Sequence, residues 1–132
     1  MLGELISETK GKRLLRRVLS TDPLQAEVSF EDSGKTAGVQ TNGFGTYTST
    51  VSADGTLYGE GHGAMMSADG EMATWRGSGT GRFTGGGALS YRGILYFKSN
   101  TPKLGKLNGK AGVFEYEVDP NGMTTSKVWE WK

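Results

Sequence analysis

Between Leu57 and Phe83, glycine twice recurs at every second position. Gly59, Gly61 and Gly63 alternate with Glu60, His62 and Ala64; Gly77, Gly79 and Gly81 alternate with Ser78, Thr80 and Arg82. Period two marks a strand, because successive side chains point to opposite faces. The runs flank Ser67-Ala68-Asp69-Gly70, which suits a three-residue hairpin loop with Gly in the left-handed position. That loop pairs Ser67 with Glu71. It then sets Met65 opposite Ala73, Gly63 opposite Trp75, His62 opposite Arg76, and Glu60 opposite Ser78. One face holds the glycines with Leu57, Met65 and Trp75. The other holds Tyr58, Glu60, His62, Arg76, Ser78 and Thr80.

Two further turns extend the pattern. Ser52-Ala53-Asp54-Gly55 repeats the first loop and pairs Val51 with Leu57, Thr48 with Glu60, and Tyr47 with Gly61. Thr84-Gly85-Gly86-Gly87, with Thr84 paired to Ala88, sets Phe83 opposite Leu89, Gly81 opposite Tyr91, and Trp75 opposite Phe97. All three assignments put the apolar residues on one face, a consistency across levels that supports each. Glycine inside a strand costs stability, so rows of it need a reason. A tightly curved sheet supplies one, with large aromatics lying across the gaps on its inner wall. The glycine and aromatic face is therefore expected inside a barrel, and the glycine rows are expected to leave free volume there.

Along the rest of the chain, Leu2 to Glu8 reads as a strand and Thr9-Lys10-Gly11 as a turn. Lys12 to Ser20 fits either a second strand or a short helix. Asp22-Pro23 breaks the chain. Leu24 to Glu31 alternates, with Leu24, Ala26, Val28 and Phe30 inward. Ser33-Gly34 and Asn42-Gly43 read as turns around a short strand, Thr36 to Gln40. Arg92 to Lys98 is the most apolar strand. Ser99 to Gly109 reads as a loop with a helical turn near Lys103 to Leu107. Lys110 to Val118 and Met123 to Trp131 form a last hairpin about Asp119-Pro120-Asn121-Gly122, with Glu115 facing Lys127. Its buried face stays open, because Trp129 and Trp131 share a side with Lys127. The expected fold is all-β: an antiparallel up-and-down barrel of about eight strands in a single domain, residues 1–132.

The segments GTYTSTVSADGTLYGEGHG, TWRGSGTGRFTGGG leading into SYRGILYF, and VFEYEVDPNG with VWEWK lie within residues 43–132. In these the chain resembles small bacterial and archaeal barrels, most of them uncharacterised, with the allene-oxide-cyclase-like (calycin-like) fold. The resemblance implies an eight-stranded barrel with an apolar mouth or cavity. It transfers no catalytic residue to any position here.

Net charge is +1, from 15 basic and 14 acidic residues, which gives no reason to expect nucleic acid or an anionic membrane as partner. With no Cys and one His, a thiol nucleophile is excluded and a metal site is not expected. GSGTG and GEGHG run along strands, whereas a phosphate loop must lead into a helix N-terminus, so no cofactor is implied. MLGELISETKGKRLLRRVL has neither an unbroken apolar core nor a small-residue cleavage site, and a cytoplasmic protein is the expectation. Arg13, Arg16 and Arg17 read as a solvated edge.

The first functional expectation is an interior that binds a small apolar molecule, lined by Tyr47, Leu57, Met65, Trp75, Phe83, Tyr91, Leu95 and Phe97. An alternative is a cyclase or isomerase using the same cavity. Tyr47 or Tyr91 would be its polar handle, or Glu60 and His62 were the register inverted. A third is a structural homo-oligomer that meets its partner through Trp129 and Trp131.

Overall fold

The computed structural model describes residues 2–132. Eight antiparallel strands close a barrel in sequence order, β1 pairing with β8. They are β1 (Leu2–Thr21), β2 (Leu24–Thr36), β3 (Val39–Val51), β4 (Leu57–Met66), β5 (Met72–Gly85), β6 (Ala88–Lys98), β7 (Ala111–Val118) and β8 (Met123–Trp131). One 3-10 turn, Leu104–Leu107, interrupts the β6–β7 connection.

The glycine-rich centre folds as the alternation dictates. Met65 pairs with Ala73, Gly63 with Trp75, His62 with Arg76, and Glu60 with Ser78. Val51 pairs with Leu57 and Tyr47 with Gly61. Gly55 and Gly70 take φ of +86° and +91°, and the Ser67 N–H donates to the Glu71 carbonyl at 2.9 Å. At the β5–β6 turn Phe83 pairs with Leu89, but Ala88 pairs with Gly85 instead of Thr84. A one-residue irregularity there absorbs Thr84, since the three glycines after it all take positive φ.

The first half departs from expectation at three glycines. No turn forms at Thr9-Lys10-Gly11, and β1 is one strand of 20 residues, neither two strands nor a helix. No turn forms at Ser33-Gly34 or Asn42-Gly43; these lie side by side, Ser33 paired with Asn42, in β2 and β3. The true turn is Ala37-Gly38, both at positive φ (52° and 79°), as a two-residue hairpin needs. The glycines serve close approach instead. A Cβ on Gly11 would lie 1.9 Å from the Glu31 carbonyl oxygen, and one on Gly34 2.0 Å from that of Glu8.

Two bulges in β1, near Leu14 and Leu19, break its alternation. Its β8 pairing ends at Lys12–Met123, while its β2 pairing runs on to Thr21–Leu24. Leu14, Leu15, Val18 and Leu19 are exposed on this overhang. Leu24, expected inward, is exposed there too.

The opposite end is plugged. Leu104 and Leu107 of the 3-10 turn are buried against Met65, Ala73, Phe97 and Val128. Buried Glu71 ties the plug down: its Oε1 accepts the Lys103 and Leu104 N–H groups at 2.8 and 2.9 Å. In the last hairpin Glu115 pairs in register with Lys127 on the outer face. Each takes its ion pair from the other neighbouring strand, Arg92 for Glu115 and Glu8 for Lys127. Val128 is buried and Trp131 is 56% exposed, so the tryptophan-bearing side of β8 is the outer one. Among the described residues no helix is long and apolar enough to cross a membrane.

Candidate functional site: the barrel lumen

The lumen is crowded with rings. Tyr47 and Tyr116 meet edge to face at 5.7 Å, and Phe30 lies 5.8 Å from Tyr116, 6.0 Å from Tyr47 and 6.2 Å from Trp75. Tyr91 lies 6.1 Å from Tyr47 and 6.4 Å from Tyr116. These spacings suit edge-to-face and tilted packing. The glycine rows seat these rings. A Cβ on Gly63 would fall 2.6 Å from the Trp75 indole, and one on Gly81 2.8 Å from the Tyr91 ring. Phe114 lies over Gly79 and Gly93 in the same way.

The glycine rows therefore do not leave the interior hollow, as the sequence suggested: the side chains opposite fill the space. What remains is a cavity of about 100 Å³. Tyr47, Met65, Trp75, Tyr91, Leu95 and Phe97 border it. Leu57 does not; it is buried farther along with Leu89, Tyr91 and Val118. Phe83 does not either. It pairs with Leu89 near the Gly85–Gly87 turn but is 53% exposed.

The wall opposite is polar. Ser7, Thr9, Asp32 and Thr41 border the cavity from β1, β2 and β3. Most of the buried hydroxyls are satisfied: Ser7 and Thr36 bond to each other at 2.8 Å, and Ser49 bonds to Tyr91. The exceptions are the hydroxyls of Tyr47 and Tyr116, both buried, which make no hydrogen bond of full geometry among the described residues and act only on each other. Burial pushes the Tyr91 phenol up to about 12 and raises those of Tyr47 and Tyr116. All three are protonated near neutrality. Asp32 lies inside the wall, where burial raises its carboxyl above the ordinary value and a 3.3 Å bond from Thr9 offsets this in part.

Glu60, His62 and Arg76 carry their side chains on the outer face. Together with Tyr58, Ser78 and Tyr96 they border an external groove. The Tyr58 hydroxyl donates to Glu60 at 2.8 Å.

Asp32 and Tyr116 are site residues that sequence reasoning missed. The alternation Val28, Phe30, Asp32, Gly34, Thr36 carried the signal for Asp32, but the supposed turn at Ser33-Gly34 cut it short. The Glu115–Lys127 pair, taken as outward, would have turned Phe114 and Tyr116 inward.

The fold and lumen define a closed eight-stranded antiparallel barrel. No protein-family model matches the chain, and no curated protein matches it. Solved structures do. A protein of unknown function from Clostridium acetobutylicum is 15% identical, with a TM-score of 0.80 over 98% of each chain. A conserved protein of unknown function from Rhodopseudomonas palustris is 11% identical, with a TM-score of 0.81 over 98% of this chain and 97% of the other. At such identities the likeness is one of fold alone.

Proposed function

We propose that this chain is a small cytoplasmic binding protein, an allene-oxide-cyclase-like barrel that takes one small molecule into its lumen. The residues that meet it are Tyr47, Met65, Trp75, Tyr91, Leu95 and Phe97, backed by Leu57, with Phe83 at the open rim. The observation that carries this reading is the enclosed cavity itself, bordered by the buried hydroxyls of Tyr47 and Tyr116. Buried polar groups are nearly always bonded, and among the described residues these two have only each other, in a geometry short of a full hydrogen bond, so an occupant with a polar group would complete them. Size limits that occupant. An engineered apolar cavity of roughly 150 Å³ takes benzene, and pockets for drug-sized ligands run to about 300 Å³ or more. A lumen of about 100 Å³ suits something smaller, with a polar group for the tyrosines. It has no room for a lipid or terpenoid chain, which favours binding over cyclisation of such a substrate.

Thermal melts and native mass spectrometry against a graded panel, from small alcohols and phenol to fatty acids and terpenoids, test this. Small polar-tipped members should raise Tm by several degrees at saturation; the long chains should not. Tyr47→Phe should leave the empty protein within about 1 kcal/mol of wild type, since it removes one poorly bonded hydroxyl and its weak contact with Tyr116, while weakening the small ligands. A panel with no binder of any size would remove the proposal.

Self-association is the second reading. On the outer face Trp131 pairs with Leu2 and Trp129 with Leu5, and Trp131, Leu2 and Leu5 are all exposed. Contiguous exposed apolar surface marks contact sites. Sedimentation should show a dimer or larger species that Trp129→Ala with Trp131→Ala dissociates; a wild-type monomer would eliminate it.

A further inference from the structure

Asp32 stands out among the groups around the lumen. It projects from the inner face of β2, and its carboxyl borders the cavity. Its one hydrogen bond comes from the Thr9 hydroxyl at 3.3 Å, and no Lys or Arg among the described residues forms an ion pair with it. Asp32 is half-buried, and a charge held partly out of water is normally paired, yet an ionised Asp32 has no ion-pair partner among the described residues. The cavity it faces is walled by the rings of Phe30, Tyr47, Trp75 and Tyr116. Aromatic faces attract cations, most strongly where water is excluded. The buried hydroxyls of Tyr47 and Tyr116 can also accept an N–H through their oxygens.

Resting on the lumen-binding reading, we propose that the occupant is a small organic cation, a protonated or methylated amine, anchored by Asp32 within this cage of rings. The cavity, about 100 Å³, is sized for a group such as dimethylammonium, smaller than benzene. An anion is disfavoured because neither Arg13 nor Arg16, the cations whose charge reaches Tyr47, borders the cavity, whereas Asp32 does. Arg13 nonetheless acts on the neighbourhood: its charge lowers the phenol values of both Tyr47 and Tyr116. The amine therefore sits on the Asp32 side of the tyrosine pair.

The groups facing Asp32 set its pH dependence. From β1 come the Thr9 hydroxyl and, farther off, Arg13; from β3 and β7 come the neutral phenols of Tyr47 and Tyr116. Glu60 on β4 also borders the cavity, but its carboxylate is turned to Tyr58 on the outer face. Burial raises the folded-state value of Asp32 above the unfolded one, so the native state favours its protonated form. Its contribution to stability is present below the unfolded value and is lost as pH rises through the folded one. Ionised Asp32 is thus unfavourable in the empty barrel, and a bound cation relieves it.

The test compares dimethylammonium with ethanol, a neutral probe of similar size, and with acetate, an anionic one. Binding is followed by tryptophan fluorescence and thermal shift on wild type and Asp32→Asn. Dimethylammonium should bind wild type, and the substitution should weaken it at least tenfold. Without ligand, Asp32→Asn should melt higher than wild type once pH exceeds the ionisation of Asp32. As a second measurement, needing no variant, wild-type affinity for dimethylammonium should fall as pH drops through the ionisation of Asp32, while ethanol affinity stays level. Equal dimethylammonium binding by both proteins, a flat pH profile, or a preference for acetate would each overturn the proposal. Were ethanol to bind and dimethylammonium not, the anchor would fall and the lumen reading would stand. If no probe binds, both fall.

Discussion

Gly93→Ala should cost the barrel on the order of 3 kcal/mol, at the upper end of what overpacking does. Gly93 and Gly79 face each other across the β5–β6 pairing. A Cβ on Gly93 would come 2.1 Å from the Ser78 carbonyl oxygen, 2.6 Å from the Gly79 Cα and 2.7 Å from the Phe114 ring. A flexible side chain could swing aside; two of these three obstacles are main chain. The strands themselves must part, in a closed ring where parting one pair strains its neighbours. Backbone conformation is not the cause, since the φ of Gly93 is not among the positive ones. Domains of this kind are stable by about 5–15 kcal/mol in total, so much of the margin goes. Gly105→Ala is the control: its nearest contact would be 4.0 Å away, and the change should fall within about 0.5 kcal/mol of neutral. Urea unfolding followed by circular dichroism measures both, and a Gly93→Ala protein as stable as wild type would refute the close-approach account.

Leu104→Ala should be comparably severe, costing roughly 3 to 4 kcal/mol within the usual range for a buried leucine. Leu104 is 0% exposed and packs with Phe97, Leu107 and Val128 at the plugged end. The cost depends on whether neighbours can collapse into the hole. Here they are held back, because Glu71 clamps the N–H groups on either side of the Lys103–Leu104 step. Burial pushes the Glu71 carboxyl up, but hydrogen bonds from Leu104, Thr101 and Lys103 outweigh it and leave it below the ordinary value. A carboxyl lowered by folding stabilises above its unfolded value and loses that effect as pH falls through the folded one. Acid should therefore loosen the clamp and narrow the gap between Leu104→Ala and wild type. Thermal melts at neutral and acid pH give both quantities, with exposed Lys106→Ala as the control.

The part of the chain from Phe44 onward was legible because turn chemistry and alternation agree there. Asp54-Gly55 and Asp69-Gly70 each close a loop whose register buries the same face, and the observed pairs follow. The first half misled through the double meaning of glycine. Lys10-Gly11, Ser33-Gly34 and Asn42-Gly43 look like turns, yet all three run straight through strands. In these a missing Cβ lets two backbones approach, and composition does not separate that use from a turn. The lumen was legible on its apolar side, where Trp75 and Tyr91 lie over their glycines. Its polar side was hidden by the same error, since ending β2 early removed Asp32 from the inner face. Free volume was out of reach altogether, because it depends on how rings from β2, β3 and β7 share one space.

The overhang of β1 has a thermodynamic consequence. The seam with β8 is last fastened where the Arg13 N–H meets the Gly122 carbonyl at 2.9 Å. From Leu14 to Thr21 the main chain leans on β2 alone. Peeling this stretch away leaves the β1–β8 seam closed, since that pairing ends at Lys12. Its fraying is thus decoupled from global unfolding, and substitutions there can tune local detachment while the sealed cylinder keeps its own melting point.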